Sequence, residues 1–402
     1  MKLDLISLSL PAFFLLIVVE LVVARLLRRK LYHFADSVTD LSCGILQQVL
    51  EVFVAGLLLA PYLFLYEHAR ITDLSTESSW AWVACFVGVD VAYYWFHRFS
   101  HQCAVAWGVH IVHHQSEEYN LTVALRQDAF QPFISAFFYL PLAVLGFPPV
   151  MTLTCRSLNT IYQFWIHTRA VGRLGPLEWI LNTPSHHRVH HGSNRKYWDK
   201  NFAGVFITWD QLFGTFHPEQ EEPTYGVTES VQSWNPVWAH VHYYTVLARK
   251  VRDTRGLFNK LQVLLRKPGW LPPGMKEPEH PPPVKYDAHA SPALHAYVAT
   301  TFATVLLGTV GFLFSARALS DGVRVAVALL ITWTVMNLGV ILEAKRWGLY
   351  SERLRLGAMM GALCVLPPTW MAGIPVLLGM ALWLHVGYAR LSSATVPAPA
   401  SA

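Results

Sequence analysis

Residues 80–101 read Trp80-Ala-Trp-Val-Ala-Cys-Phe-Val-Gly-Val-Asp90-Val-Ala-Tyr-Tyr-Trp-Phe-His97-Arg-Phe-Ser-His101. Up to Phe96 the run is apolar apart from Asp90, as a membrane span is. It then passes without a break into two histidines four residues apart. On a helix, positions i and i+4 lie on one face, so HxxxH offers two imidazoles to one point. A span that ends in such a pair predicts a bundle of membrane helices with a histidine-rich cap at its watery end.

The rest of the chain fits that frame. Of 402 residues, 53% are hydrophobic and only 14% are charged, against about 25% charged in an average soluble domain. Mean hydropathy is +0.33. These values exclude a soluble globular protein and a disordered one. The formal net charge of +5 sits in loops, so it reads as membrane orientation and not as nucleic-acid binding. The five cysteines, Cys43, Cys85, Cys103, Cys155 and Cys364, form no CxxC and mostly lie in apolar runs. Neither a disulfide framework nor a cysteine zinc site follows from them.

Residues 5–27 form a first span, followed by Arg25, Arg28, Arg29 and Lys30 and preceded only by Lys2. That asymmetry predicts a retained anchor with its C-terminal end in the cytoplasm. Residues 43–65 form a second span and 80–96 a third. Residues 130–147 and 150–166 predict a membrane hairpin turning at Gly146, Pro148 and Pro149. Parity then puts His97 and His167 together on the cytoplasmic side, and the basic stretch from Thr168 to Pro292 agrees. Residues 267–283 hold seven prolines and two glycines, the composition of an extended linker. Apolar runs follow at 294–314, 323–342, 356–369 and 373–390. The expected organisation is 1–79 anchor spans, 80–266 catalytic region, 267–292 linker, 293–391 C-terminal membrane helices and 392–402 a disordered tail. The fold class is all-α, a polytopic membrane bundle with a cytoplasmic cap.

Two more histidine clusters follow the first: His110-Ile-Val-His113-His114 and His187-Arg-Val-His190-His191. In each, HxxHH turns two rings to one side and the third to a neighbouring flank. Imidazole suits iron, zinc, copper and nickel. Eight rings exceed the four of a zinc site, so the economical reading is two metals. A metal transporter would carry histidines and carboxylates at mid-membrane depth, whereas these sit at span ends. A zinc protease needs the glutamate of HExxH, absent from these boxes.

HxxxH, HxxHH and HxxHH beside membrane spans resemble the fatty acid hydroxylase/sterol desaturase superfamily of integral membrane di-iron oxygenases. Residues 92–98, 118–122, 124–127, 162–168, 175–178, 182–192 and 209–215 are further similar to the alkylglycerol monooxygenase family, a likeness that covers roughly residues 35–275. The resemblance implies two iron ions held by His97, His101, His110, His113, His114, His187, His190 and His191. It adds His167 as a ninth ligand, with His186 and His242 as further candidates. His33, His68, His280, His289, His295 and His385 read as structural. The resemblance also implies molecular oxygen as co-substrate, tetrahydrobiopterin as reductant, and hydroxylation of the ether-bearing carbon of an alkylglycerol. Gln102 stands where that family carries a glutamate. It and Arg126 are the expected pterin contacts, with a structural ion pair the equal alternative for Arg126. Asp90, Asp128, Asn182, Asp199 and Asn201 are candidates to orient the rings. The partners implied are a membrane lipid substrate, the bilayer and, failing a pterin, an electron-donor protein. A bacterial inner membrane and an endoplasmic reticulum fit the topology equally. Tyr93, Tyr94, Trp95, Phe96, Phe164 and Trp165 line a lipid path on one reading and anchor the membrane interface on the other, which is the default for each. On the same scaffold, sterol desaturation, sterol methyl oxidation and fatty acyl hydroxylation are the alternatives, and the boxes alone do not separate them.

Overall fold

A computed structural model describes residues 5–272, 274, 285–288, 290–365 and 373–393. Most of the proline-rich stretch, His280, His289, the last residues of the 356–369 run and the tail from 394 lie outside the described residues. Among those described, every regular element is helical. The single strand-like contact is an isolated bridge between Leu181 and Phe206. The described chain divides into two compact units, 1–231 with 240–284, and 232–239 with 285–402.

The first unit opens with α1 (Leu5–Leu26), α2 (Phe34–Ala69) and α3 (Ser79–Gln102). Ser78 caps α3 by accepting from the Ala81 amide. Two short helices follow, α4 (Ala104–Trp107) and α5 (Ile111–His114), and the second histidine box lies on α5 and its N-cap His110. The hairpin follows as α6 (Gln131–Val144) and α7 (Pro149–Trp165). Its tip needs a glycine. Gly146 has φ +88°, and a Cβ there would stand 2.0 Å from the Thr72 carbonyl oxygen. The Ile71 amide donates to Val144 O at 2.8 Å, which ties the tip to the loop between α2 and α3. Cys85, Val89, Ala143 and Met151 form the core among α2, α3, α6 and α7. The cap is completed by α8 (Pro184–His190), α9 (Thr208–Leu212), α10 (Pro236–Asp253) and α11 (Leu257–Leu265).

Four of the described helices are long and apolar enough to cross a bilayer, including α1 and α2. The second span differs from expectation. It starts at Phe34, nine residues before Cys43, because Asp36, Thr39, Asp40 and Ser42 are buried in the cap and do not face water. Burial on α2 is dense up to Val49, and from there to Ala69 only Tyr62 is buried. That exposed length, residues 50–69, equals a bilayer span of about 20 residues. Likewise α3 runs through its histidine pair to Gln102.

The second unit is a four-helix bundle of α12 (Pro292–Ser315), α13 (Asp321–Leu342), α14 (Arg346–Val365) and α15 (Gly373–Ser393). Each helix packs on the next and α12 packs on α15. Here too a helix starts earlier than its apolar run, at Arg346 and not Leu356, and burial explains it. Glu352 and Arg355 are both buried and pair at 2.5 Å. Tyr297 and Asn337 also donate to Glu352, at 2.5 and 2.8 Å. The charges are satisfied inside the bundle, so the helix tolerates them.

Candidate metal centre

Nine histidines converge at the cap end of α3 and α7, in two groups whose ring nitrogens or other ligand atoms lie within 4.8 Å of one another. One group is His97, His101, His110, His114 and His190. The other is His113, His167, His187 and His191. The helical register explains the division. In each HxxHH box the i, i+4 pair goes to one group and the middle histidine to the other. His110 and His114 thus join the first group while His113 joins the second. His187 and His191 join the second while His190 joins the first. His167, just past the end of α7, completes the second.

Within each group the Nε2 atoms face one another. His110 and His190 lie 3.2 and 3.1 Å from His114. His113 and His187 lie 3.1 and 2.9 Å from His167. Two nitrogens at right angles around one ion, each about 2.1 Å from it, stand about 3 Å apart. The Nε2 atoms of His97, His101 and His191 are buried with no hydrogen-bond partner. Buried polar atoms are rarely left so. An orphaned lone pair aimed into an all-nitrogen cluster fits a metal ion.

In four of the nine rings the opposite nitrogen is anchored on a backbone carbonyl. Nδ1–H of His97 donates to Phe202 O at 2.7 Å, of His113 to Arg126 O at 3.0 Å, of His167 to Gln163 O at 2.7 Å, and of His190 to Lys200 O at 2.9 Å. A carbonyl can only accept, so the proton is on Nδ1 and the Nε2 lone pair is free for a metal. Electrostatics agree. Burial lowers the pKa of His113 to about 4 and of His190 to about 3. Burial, followed by neighbouring imidazoles, also holds His114 and His191 well below the ordinary value. The rings are therefore neutral at physiological pH, as metal ligands must be.

The anchoring carbonyls are held in turn. Asp90, fully buried on α3, accepts from the Val205 and Phe206 amides, Trp209 Nε1 and Asn159 Nδ2, at 2.7–3.0 Å. Asp210 accepts from the Phe202 and Ala203 amides, both at 2.8 Å. Asp199 and Asn201 have φ +56° and +55°, a conformation their short polar side chains tolerate. They turn the Lys200 carbonyl between them onto His190. Asn182 holds the carbonyls of Ala203 and Gly204. Asp128 instead closes the turn that leads into α6, accepting from the Phe130 amide. Of the five polar residues expected to orient rings, only Asp199 comes near one, 3.9 Å from His101 Nδ1. The others act through the loops.

Three expected site residues stand elsewhere. His186 is buried one position before His187, turned away from both groups, with its ring edge on Phe216. His242 belongs to neither group, although it lines the adjoining cavity. Arg126 is not available to a cofactor. It is buried, and its guanidinium donates to Val112 O, Asp40 and Gln115 at 2.6, 3.0 and 3.0 Å. With its own carbonyl on His113, Arg126 instead clamps the second box from both sides. Asp40 lies on α2, three residues before the apolar run that begins at Cys43, and its residue type and position alone do not mark it as part of the site.

A cavity of about 1280 Å³ opens onto His101, His114, His190 and His191. Gln102, Trp107, Tyr243, Val246, Leu247 and Trp270 line it, with Glu229, Lys250, Arg266 and Lys267 on its polar side. Tyr93, Tyr94, Trp95, Phe96, Phe164 and Trp165 are not among its walls. Tyr94 packs on Phe213 and bonds Thr215, and Phe164 stacks on Phe13 of α1.

Membrane helices capped by two histidine groups define a class, the fatty acid hydroxylase type of membrane oxygenase, and residues 82–215 match the Fatty acid hydroxylase family. The chain is 38% identical over 360 residues to the alkylglycerol monooxygenase of Homo sapiens, covering 88% of this chain and 81% of the human one. The Xenopus tropicalis enzyme of that name is 36% identical, covering 85% of this chain and 78% of its own. The Danio rerio enzyme is 38% identical, covering 80% and 73%. This chain belongs to the alkylglycerol monooxygenase family. No solved structure matches it. Monooxygenases are oxidoreductases, and iron is the metal that this family and this donor set together suggest.

Proposed function

We propose that this protein is a multi-pass membrane di-iron monooxygenase that cleaves the ether bond of alkylglycerols, with its catalytic face in the cytoplasm and tetrahydrobiopterin as reductant. The nine histidines from His97 to His191 would hold the two irons, five in one group and four in the other. The observation that carries the reading is that both groups are wholly imidazole and that one cavity with apolar walls reaches both. Bound iron would supply the oxidant that an unactivated C–H bond demands and that no side chain can provide.

The overall balance is simple. One oxygen atom of O2 inserts into the C–H bond next to the ether oxygen. The other leaves as water with two electrons and two protons from the reductant. The resulting hemiacetal breaks its C–O bond to give an aldehyde and the free glycerol hydroxyl. The chain's own residues bind and orient. Trp107, Val246 and Leu247 receive the alkyl chain beside His101 and His114. Glu229, Lys250 and Lys267 face the glycerol hydroxyls. Gln102, on the cavity wall beside His101, is a neutral hydrogen-bonding contact for the pterin. The carbonyls of Phe202, Arg126, Gln163 and Lys200 keep the rings neutral and aimed.

The test is aldehyde release from a labelled alkylglycerol by iron-loaded membranes, with and without tetrahydrobiopterin. Pterin-dependent release supports the reading. Absence of release from iron-containing protein would overturn the substrate and redirect the search to sterols and acyl lipids.

A further inference from the structure

The nine-residue helix α11 is apolar on the side that faces away from the protein. Leu257, Phe258, Leu261 and Leu265 are 74%, 72%, 47% and 65% exposed. At 100° per residue they fall within about 100° of arc. The opposite side carries Val263, buried with Ala104 and Leu247, while Leu264 packs against that cluster from the edge of the apolar arc. A water-facing helix would carry polar residues on its outer side.

The charge around that face is basic. Arg255 and Arg266 are exposed at its two ends, and Lys260 lies on its flank. The one acid between 252 and 267 is Asp253, which Arg252 pairs at 2.8 Å.

Its depth follows from α3. α3, the third expected span, has 24 residues from Ser79 to Gln102, long enough for a hydrocarbon thickness of about 30 Å, or about 20 helical residues. Phe99, near its C-terminal end, and Val105, just past it, are exposed apolar residues. The Ala104 amide donates to Arg266 O at 2.8 Å, and Cys103 Sγ donates to Leu264 O at 3.6 Å. These bonds pin α11 at the C-terminal end of α3, which on the reading of α3 as a span is where interfacial helices lie. The cavity that reaches the histidines is walled by Leu265, Arg266 and Lys267.

We propose that α11 is an interfacial helix that seats its Leu257–Phe258–Leu261–Leu265 face in the anionic cytoplasmic leaflet, and that lipid passes along it into the cavity. The second half rests on the lipid-oxidising reading; the first does not.

The test uses full-length protein in nanodiscs on a Cys364→Ser background, since Cys364 is the exposed native cysteine and the other four are buried. A fluorophore is attached at Phe258→Cys, with Gln220→Cys in an exposed loop of the cap as the aqueous reference. The expected result at position 258 is quenching by doxyl-labelled lipid at least about 3-fold above the reference, stronger with phosphatidylglycerol than with phosphatidylcholine alone. Quenching by aqueous iodide only would overturn the proposal. So would protection from both quenchers, which would mean that protein covers the face. Equal lipid quenching in both compositions would overturn the role of the basic flanks. A second arm measures alkylglycerol kinetics of Phe258→Asp/Leu261→Asp. The expectation is a KM raised about 10-fold with kcat kept, and an unchanged KM would overturn the delivery role. If the unaltered enzyme releases no aldehyde, the substrate reading fails while the quenching result still decides the seating of α11.

Discussion

At the residue scale, four of the nine rings divide their nitrogens, one on a backbone carbonyl and one turned inward. His190→Ala should reduce bound iron from two per chain toward one and take activity below detection. His186→Ala should keep both irons, because that ring lies outside both groups. Metal analysis of purified protein checks both. Arg126→Ala should weaken metal at the His113 group by roughly 10–100-fold, as removal of a ligand's support commonly does. It should also destabilise the fold by about 3–5 kcal/mol, since Asp40 would be left buried and unpaired. Partial metal titration and thermal unfolding separate the two effects. The histidines themselves were legible because their type, clustering and spacing are chemical signals. Their anchors were not. Phe202, Lys200, Gln163 and Arg126 act through carbonyls, which every residue has, so nothing in the sequence marks them.

Acid should dismantle this arrangement. The folded-state pKa of His113 is about 4 and that of His190 about 3, below the ordinary value near 6.5. Between those values the unfolded chain binds more protons than the folded one, so stability falls as pH falls. Metal-free protein should lose stability from about pH 6.5 downward, most of it by pH 4. Unfolding scans at stepped pH check this, and a flat profile would contradict the neutral-ring assignment.

At the scale of elements, loop positions are set by buried carboxylates on helices. Asp90 sits inside the span of α3 and accepts four donors. Asp90→Asn keeps the size but cannot accept all four, so it should cost about 1–3 kcal/mol and loosen the loop that carries Phe202. Differential scanning of the solubilised variant reads the first, and hydrogen exchange at residues 202–209 reads the second. The apolar runs were legible as helices because length and hydropathy carry that signal. The true starts of α2 and α14 were not. Asp36, Asp40, Glu352 and Arg355 read as water-facing until their partners, Arg126, Tyr297 and Asn337, are brought to them by distant parts of the chain.

At the scale of the whole molecule, two helical units carry different burdens. The first holds every histidine of the two groups and the cavity beside them. The second is a bundle organised around a satisfied Glu352–Arg355 pair. Arg355→Ala should destabilise that bundle by about 3–5 kcal/mol through an uncompensated buried carboxylate, with the iron content of folded protein unchanged. A thermal scan alongside metal analysis checks that separation. Composition alone pointed to a membrane protein and the three boxes to a two-metal cap, and the structure gathers the nine histidines into two groups that could each hold a metal. How the boxes interleave, with each HxxHH divided between groups, follows from helical phase once α5 and α8 face each other.

The central claim is that these nine imidazoles hold two irons. Its most direct test is the metal content of the full-length protein purified from membranes, measured per chain by mass spectrometry. Two irons per chain, with zinc and copper negligible, is the predicted result. One metal per chain, or none after iron loading, would contradict the two-group site, and a full complement of zinc would contradict an oxygenase.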